Sequence, residues 1–331
     1  MRALVTGGGG FLGSAIVRLL VERGDTVRSF SRGEYLELAR LGVEQIQGDL
    51  ADREAVLRAA AGCDTIFHVA AKAGIWGSYA EFHRANVTGT ENVLAACRHH
   101  NIGRLVYTGS PSVVFDGRDV EGGDESLPYP THFEAHYPKT KALAEQQVLA
   151  ANSPPLATVS LRPHLIWGPG DNHLVPRIVA KARAGKLRRI GNSPCLVDTV
   201  YVDNAAHAHL LAADRLVFGG AVSGKSYFIS NGEPIPLWKM VNLILAAAGL
   251  PPVTRSVPPK VAYAAGVVCE GLWSLLRLAG EPPMTRFVAR ELATAHWFDI
   301  SAARSDLGYA PQISIDEGIK RLQEWLAGAA L

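Results

Sequence analysis

Two residues of the segment YPKTK, at positions 137–141, could together carry out acid–base chemistry. Tyr137 precedes Lys141 by four positions, so on a helix the two side chains would share one face, one turn apart. A phenol with a pKa of about 10 exchanges protons poorly at neutral pH, and a nearby ammonium lowers that pKa. Pro138 is compatible with the first turn of a helix, where its missing N–H has no intrahelical partner. The spacing therefore indicates a helix that presents a proton donor to a carbonyl oxygen.

A glycine-rich loop near the start of the chain forms a second candidate site. The segment TGGGGFLGS at 6–14 lies between a β-branched run and an amphipathic stretch, with glycines on a G-x-x-G-x-x-G spacing. The first glycine permits a tight turn, the second a close approach to a pyrophosphate, and the third close packing of helix on strand. The helix N-terminus would offer free N–H groups to the phosphates. The residues predicted to bind a dinucleotide here are Gly7, Gly10, Phe11, Leu12 and Gly13.

The end of the second predicted strand bears on which dinucleotide is bound. An acidic residue there would bind the free 2′-hydroxyl of the adenosine ribose and repel a 2′-phosphate. The segment SFSRG instead carries Ser31 and Arg32, a hydroxyl and a guanidinium that suit a phosphate. We expect NADP(H), with NAD(H) as the alternative if Arg32 is only a solvated surface residue. The other residues expected along the cofactor are Asp49, Leu50, Ala70 and Ala71.

The composition is that of an ordinary soluble globular protein. The 331 residues are 48% hydrophobic and 19% charged, with a formal net charge of +2. Such a charge gives no electrostatic footprint for nucleic acid. Four scattered cysteines form neither a metal-ligand pair nor a disulfide pattern, and the chain opens without an export signal. We expect no metal, no nucleic-acid partner and a cytoplasmic location.

Alternating strands and helices would position these residues. Candidate strands are 2–6, 26–30, 43–47, 64–69, 103–108 and 157–161, and candidate helices are 12–23, 52–61, 79–100 and 137–151. The alternation predicts an α/β fold of the Rossmann type, a doubly wound parallel sheet covered on both faces. Proline clusters later in the chain predict a smaller, less regular domain. We expect a dinucleotide-binding domain over 1–165 and a substrate domain mainly over 166–331, with part of 196–230 returning to the first.

The segment 261–280, VAYAAGVVCEGLWSLLRLAG, is largely apolar over about five helical turns. Glu270 and Arg277 interrupt it, which argues against a membrane-spanning helix. Three interpretations stay open. The segment is a buried helix or dimer face, a wall of a greasy substrate site, or a peripheral contact with lipid or with another enzyme.

Four motifs together resemble the extended short-chain dehydrogenase/reductase family. They are the glycine loop, DTIFHVAAKAG at 64–74, YTGSPSVVF at 107–115 and YPKTK, in the family's order and at its intervals. The resemblance covers nearly the whole chain. It implies an NAD(P)-dependent oxidoreductase that dimerises through the helical stretches 79–100 and 137–151.

The resemblance also implies a role for each matching residue. Tyr137 would protonate the carbonyl oxygen as hydride reaches the carbon, and Lys141 would also hold the nicotinamide ribose. Ser110 would bind the substrate oxygen, with Ser112 as the competing candidate. Asn86 in RANVTGTENV would support a proton-relay water, and otherwise it is a helix-bending polar residue.

Three residues elsewhere complete the expected site. Pro163 in LRPHLIWGPGD matches the position that backs the nicotinamide in the same family. His68 and His164 are interpreted as structural residues or as residues that line the site.

Longer segments narrow the resemblance to one branch. RPHLIWGPGDNHLVPRI and LVDTVYVDNAAHAHLLAA resemble the 3β-hydroxysteroid dehydrogenase branch, which includes sterol-4α-carboxylate 3-dehydrogenases. AKAGIWGSY, FISNGEPIPL, GEPPMTRF and HWFDISAARSDLGYAPQISIDEGI resemble more closely the 2-alkyl-3-oxoalkanoate reductases of bacterial olefin biosynthesis. The resemblance implies reduction of a long-chain β-keto acid to a β-hydroxy acid.

Several alternatives stay open on sequence alone. The substrate carboxylate needs a basic partner, for which Arg177, Lys72 and His164 are candidates. The substrate of a sterol-4α-carboxylate dehydrogenase has the same chemical outline, a ketone or alcohol β to a carboxylate, so that enzyme is an alternative. A sugar-nucleotide epimerase or dehydratase of the same fold is a further alternative, as is a protein that only senses dinucleotide. The Tyr–Lys pair argues against the sensor.

Overall fold

A computed structural model describes residues 1–328 of the chain. Its β-strands are Arg2–Thr6 (β1), Thr26–Ser31 (β2), Glu44–Gln47 (β3), Thr65–His68 (β4), Arg104–Thr108 (β5), Val120–Gly123 (β6), Ala157–Pro163 (β7), Ile166–Trp167 (β8), Arg189–Ile190 (β9), Leu196–Val197 (β10), Val200–Tyr201 (β11), Lys225–Ile229 (β12), Ile235–Pro236 (β13), Ser256–Val257 (β14) and His296–Phe298 (β15).

The α-helices occupy the intervening segments. They are Phe11–Glu22 (α1), Leu36–Arg40 (α2), Arg53–Ala60 (α3), Tyr79–Phe82 (α4), Gly89–His99 (α5), His136–Ala150 (α6), Leu174–Arg183 (α7), Val202–Arg215 (α8), Leu237–Ala247 (α9), Pro259–Leu276 (α10), Arg286–Glu291 (α11), Ser301–Leu307 (α12) and Ile315–Gly328 (α13). A π-helical turn, His83–Thr88, joins α4 to α5, and a 3₁₀ turn, Pro111–Val114, follows β5.

The central sheet has seven parallel strands in the order β12-β7-β5-β4-β1-β2-β3. Every residue of β4 and of β7 is buried, as expected for inner strands covered on both faces. The six predicted strands are all present, and their bounds differ from the predictions by no more than two residues. The predicted doubly wound α/β fold is confirmed.

Two apolar clusters cover the two faces of this sheet. On one face α1 and α8 pack together, with Ile16 and Ala208 in a shared core. On the other face α3, α5 and α6 contribute Val56, Val93 and Val148 to a separate core. The carboxyl ends of the parallel strands therefore meet along one edge, where doubly wound proteins bind their ligands.

The C-terminal half, together with β6 from the first half, builds a smaller layer over that edge. A four-stranded sheet of order β13-β10-β15-β6 lies there, together with the short pairs β11-β8 and β14-β9. The chain also returns to the central sheet, because β12 pairs with β7 as its edge strand. Residues from the two halves of the sequence therefore meet between the large sheet and the smaller layer.

The apolar segment 261–280 is more exposed than a buried helix would be. It forms most of α10, which ends at Arg277 in the left-handed conformation, with φ 50°. Only Ala262 and Gly266 of this helix are buried. The interpretation as a buried helix is therefore wrong for the chain by itself, because α10 contacts its neighbours along one narrow stripe. Within residues 1–328, no helix combines the length and the hydropathy needed to cross a membrane.

Candidate active site

Helix α6 carries both members of the Tyr–Lys pair. Pro138 lies in its first turn, as the sequence predicted. Lys141 is 3% exposed, and its Nζ donates a hydrogen bond of 2.5 Å to the Thr108 carbonyl oxygen at the end of β5. The ammonium also lies 4.2 Å from the centre of the Tyr107 ring. Burial lowers the pKa of Lys141 to about 7, and the carboxylate of Glu145 opposes this shift.

The phenol of Tyr137 is held in its protonated form in this structure. Burial raises its pKa, the hydrogen bond with Ser110 lowers it, and the charge of Glu291 raises it again. The sequence-based expectation that Lys141 lowers this pKa is not met, because the ammonium is directed to the Thr108 carbonyl. A neutral phenol is the form that donates a proton to a carbonyl oxygen.

The two candidate serines form one hydrogen-bonded unit. Ser110 lies at the N-cap of the 3₁₀ turn after β5 and accepts a 3.3 Å hydrogen bond from the Ser112 amide. The two hydroxyl oxygens are 2.9 Å apart. Ser110 is the serine that forms a hydrogen bond with the Tyr137 phenol, so of the two candidates Ser110 is the one that adjoins Tyr137.

Asn86 links the loop after β4 to α6. It lies in the π-helical turn, and such turns are frequent at functional sites. Its Oδ1 accepts from the Lys72 amide at 2.7 Å, and its Nδ2 donates to the Lys72 carbonyl at 3.1 Å. Nδ2 also lies 3.0 Å from the Thr140 hydroxyl, next to Lys141 in sequence. The carboxamide therefore fixes the position of α6 relative to the loop.

The glycine loop has the geometry that phosphate binding requires. Gly7 has a φ of 72°, which favours glycine, and its amide donates to the Phe30 carbonyl at 2.8 Å. A Cβ on Gly13 would lie 2.0 Å from the Gly7 oxygen. Gly10 begins α1 without a side-chain cap, so Phe11 and Leu12 stand in a first turn whose N–H groups face the loop.

The end of β2 lies beside this loop. The Ser31 hydroxyl is 3.5 Å from the Gly9 amide nitrogen. Arg32 is exposed, and within residues 1–328 it forms no salt bridge. The ring of Tyr35 covers Gly9, and a Cβ on Gly9 would lie 2.1 Å from a carbon of that ring. The sequence analysis missed Tyr35, since no spacing rule connects it to the glycine loop.

The remaining predicted cofactor residues lie along the same edge of the sheet. The Ala70 amide donates to the Thr6 carbonyl at 3.1 Å, and Ala71 follows it as an exposed residue. Asp49 pairs with Arg84 at 2.8 Å. Two further residues, Leu50 against Gly89 and Pro163 at the buried end of β7, complete the set.

The two histidines have different surroundings. His68 lies between the hydroxyls of Thr6 (2.8 Å) and Thr90 (3.0 Å), and burial lowers its pKa to about 3, so it is a neutral structural residue. His164 pairs through Nδ1 with buried Asp198 at 2.5 Å. The ring of His296 lies 5.0 Å from that of His164.

The sequence did not point to the carboxyl of Glu291. Burial raises its pKa, and His164 opposes that shift. Its charge also acts on Tyr137. The Glu291 carboxyl therefore interacts electrostatically with both Tyr137 and His164. No motif or local spacing could have identified it, because it lies in α11, far along the chain.

All three candidate partners for a substrate carboxylate already contact a carboxylate, and for His164 this is Asp198. Arg177 forms an ion pair with Glu281. Lys72 lies 3.2 Å from Glu81 and 5.3 Å from the centre of the Phe82 ring. Of the three candidates, His164 is the one that directly follows Pro163 in the chain.

A cleft of about 500 Å³ lies beside the start of α6. Its walls come from the loop 75–77, from 134–136 just before Tyr137, and from α10 and α11. The apolar side chains that line it are Ile75, Trp76, Ala135, Val267 and Phe287, and polar or charged residues, among them Glu134, Glu270 and Arg286, line it as well. The arrangement combines a proton donor, a dinucleotide-type loop and a cleft of mixed polarity.

Comparisons with known proteins agree with this geometry. The profile of the 3-beta hydroxysteroid dehydrogenase/isomerase family matches residues 4–258. A 2-alkyl-3-oxoalkanoate reductase of Stenotrophomonas maltophilia (strain K279a) is 58% identical over 325 residues, which cover 98% of each chain. A 2-alkyl-3-oxoalkanoate reductase of Shewanella oneidensis is 52% identical over 97% of this chain and 85% of its own. The UDP-glucose 4-epimerase of Thermus thermophilus, solved in complex with NAD, has a TM-score of 0.75 and 25% identity, and the match covers 100% of both chains.

Proposed function

The chain belongs to the 3-beta hydroxysteroid dehydrogenase/isomerase family and is an oxidoreductase, and we propose that it reduces 2-alkyl-3-oxoalkanoates to 2-alkyl-3-hydroxy acids. The observation that carries this proposal is the 58% identity to a 2-alkyl-3-oxoalkanoate reductase over nearly the full length of both chains. We place the reaction in long-chain olefin biosynthesis. The two alkyl chains of such a substrate need apolar contacts, and Ile75, Trp76, Val267 and Phe287 offer them in the cleft beside α6.

In the proposed reaction Tyr137 gives its proton to the ketone oxygen while Ser110 holds that oxygen. The raised pKa of the phenol keeps the proton in place until negative charge develops on the substrate. Lys141 would hold the nicotinamide ribose when the cofactor is bound. Asn86 keeps α6 in register with the loop beside the cofactor. The nicotinamide supplies the hydride when it is bound.

The proposed cofactor is NADPH. A nicotinamide dinucleotide fits the glycine loop, where a Cβ on Gly13 would collide with the Gly7 carbonyl. Ser31 and exposed Arg32 stand where an acidic residue would select the free ribose hydroxyl, and they suit the 2′-phosphate. A related solved structure holds NAD, so the choice between the two forms rests on these two residues.

We propose His164 as the partner of the substrate carboxylate. It follows Pro163, which would back the nicotinamide, and its ring is fixed by the short contact with Asp198. All three candidates contact a carboxylate in this structure, so the choice of His164 rests on its position next to Pro163. A carboxylate one carbon from the ketone must bind close to Tyr137, which favours the histidine on geometric grounds.

A substrate panel tests the proposal. NADPH formation is followed with synthetic 2-alkyl-3-hydroxy acids, with a sterol 4α-carboxylate and with UDP-glucose, since β-keto acids decarboxylate too readily for simple forward assays. We expect turnover with the 2-alkyl-3-hydroxy acids and little with the other two. Efficient oxidation of the sterol acid would favour the sterol alternative. Epimerisation of UDP-glucose forms no net NADPH and is followed by separation of the two sugar nucleotides; it would favour the sugar-nucleotide alternative.

A further inference from the structure

One face of α10 is apolar over its whole length and is open to solvent. We call this set the apolar ridge, and its members, spaced three and four positions apart, are Val261, Ala264, Ala265, Val268, Leu272 and Leu275. Leu275 is 80% exposed and Val268 is 59% exposed. No polar side chain interrupts the ridge. Contiguous aliphatic surface of this kind marks an interaction site.

The other sides of α10 are already in use. Ala262 and Gly266 face inward, and a Cβ on Gly266 would lie 2.7 Å from the Arg286 amide nitrogen. Val267 and Ser274 face the cleft beside α6. The apolar ridge therefore points away from the body of the protein while its neighbouring side forms a wall of the cleft.

A basic segment of the chain contacts the residues next to both ends of α10. Arg177 of α7 pairs with Glu281 just beyond one end, and β9 pairs with β14 just before the other end. Between Asp171 and Asp198 the chain contains no acidic residue. Its basic residues in this interval are Arg177, Lys181, Arg183, Lys186, Arg188 and Arg189.

Both ends of the ridge carry a positive charge. Lys260 stands at the start of α10 and Arg277 at its end, and both are exposed. The acidic residue of the helix, Glu270, is neutralised by Arg286 at 2.7 Å. An apolar ridge with cationic residues at its ends complements the surface of a bilayer that contains anionic lipids.

We propose that the apolar ridge and the basic residues beside it dock the protein onto anionic phospholipid, with the cleft mouth at the membrane surface. The docking is argued from surface chemistry, whereas its purpose rests on the proposed function. A substrate with two long alkyl chains partitions into the bilayer, and a cleft that opens at the lipid surface takes such a substrate without its passage through water.

Vesicle sedimentation tests the docking in the absence of any substrate. The full chain is mixed with phosphatidylcholine vesicles that contain phosphatidylglycerol, and with phosphatidylcholine vesicles alone. We expect binding to the anionic vesicles that weakens as salt is raised. The double variant Leu272→Gln/Leu275→Gln should bind about tenfold more weakly or worse, because two exposed aliphatic groups no longer enter the lipid.

Matched variants make the result specific. Leu36→Gln changes a leucine that is 78% exposed on α2, away from the ridge, and should bind like the unmodified chain. Arg183→Glu/Lys186→Glu should lose binding to anionic vesicles, whereas Lys320→Glu on α13 should not. All variants alter exposed side chains, so circular dichroism should be unchanged.

Three results would overturn the proposal. In the first, the unmodified chain does not bind the anionic vesicles. In the second, the Leu272→Gln/Leu275→Gln variant binds them as well as the unmodified chain does. In the third, ultracentrifugation gives this variant a lower molecular mass than the unmodified chain, which would make the ridge a contact between copies. Turnover of a short, water-soluble 2-alkyl-3-hydroxy acid is measured separately. A protein that binds vesicles without this turnover contradicts the proposed function alone, and one that turns the acid over without binding vesicles contradicts the docking alone.

Discussion

The charge of Lys141 depends on residues that never touch the substrate. Glu145, one turn further along α6, is fully buried and accepts from Arg162 at 2.6 Å, from Ser160 at 2.7 Å and from Tyr129 at 2.8 Å. Burial lowers the pKa of Lys141, the negative charge of Glu145 raises it, and the net result is a pKa of about 7. We infer that Glu145 is a positioning residue that keeps the ammonium charged.

Glu145→Gln should therefore change the pH profile. Without the carboxylate, the pKa of Lys141 falls further below its ordinary value, and the cation is lost at lower pH. The alkaline limb of kcat/KM in the free enzyme should move to lower pH. Ser160→Ala, which removes one hydrogen bond to Glu145 but keeps its charge, serves as control. An unmoved limb in a folded Glu145→Gln protein would contradict this role.

Tyr137→Phe should separate proton transfer from cofactor binding. The variant keeps the ring and loses only the hydroxyl, so turnover should fall by about 100-fold or more. NADPH binding, followed by fluorescence titration, should stay close to that of the unmodified chain. Near-native turnover would show that another group donates the proton.

The two residues after the second strand should set cofactor preference. Ser31→Asp with Arg32→Ala exchanges a partner of the 2′-phosphate for a group that repels it, so preference should move from NADPH toward NADH. The measurement is the ratio of kcat/KM for the two cofactors before and after the change. An unmodified enzyme that already prefers NADH would refute this interpretation of Arg32.

Several elements were predictable because their signals are local. β-Branched runs buried on both faces gave the strands of the central sheet, and a one-turn spacing paired Tyr137 with Lys141 on α6. The network around Glu145 was not predictable, since Arg162 reaches it from β7. Glu291 and Asp198 reach the site from the smaller layer, and no local pattern encodes such distant contacts.

The turn between β1 and α1 offers a test at the scale of an element. Gly13→Ala places a Cβ 2.0 Å from the Gly7 carbonyl oxygen, so the loop must move away from α1. We expect cofactor affinity to fall by about tenfold or more and the melting temperature to drop. Gly103→Ala, whose Cβ would meet its nearest neighbour at 3.9 Å, is the matched control. Equal cofactor affinity in Gly13→Ala would show that the loop does not bind the pyrophosphate.

At the scale of the whole molecule, the two halves of the chain contribute different parts of the candidate site. The central sheet presents the glycine loop, Ser110 and α6 along one edge. The smaller layer brings α10 and α11 against that edge and encloses the cleft. Substrate chemistry can therefore vary with the C-terminal half while the hydride and proton geometry stay fixed. Dimerisation through α5 and α6 and a cytoplasmic location stay predictions.

The most direct test of the proposed function is the dependence of kcat/KM on alkyl chain length for synthetic 2-alkyl-3-hydroxy acids, followed by NADPH formation. Each methylene buried in the cleft contributes about 0.8 kcal/mol, so long chains should exceed short ones by orders of magnitude until the cleft is full. One diastereomer pair should react well and the other poorly, because Tyr137 and the hydride fix the geometry. Efficient oxidation of a sterol 4α-carboxylate, with these acids left unreacted, would contradict the account.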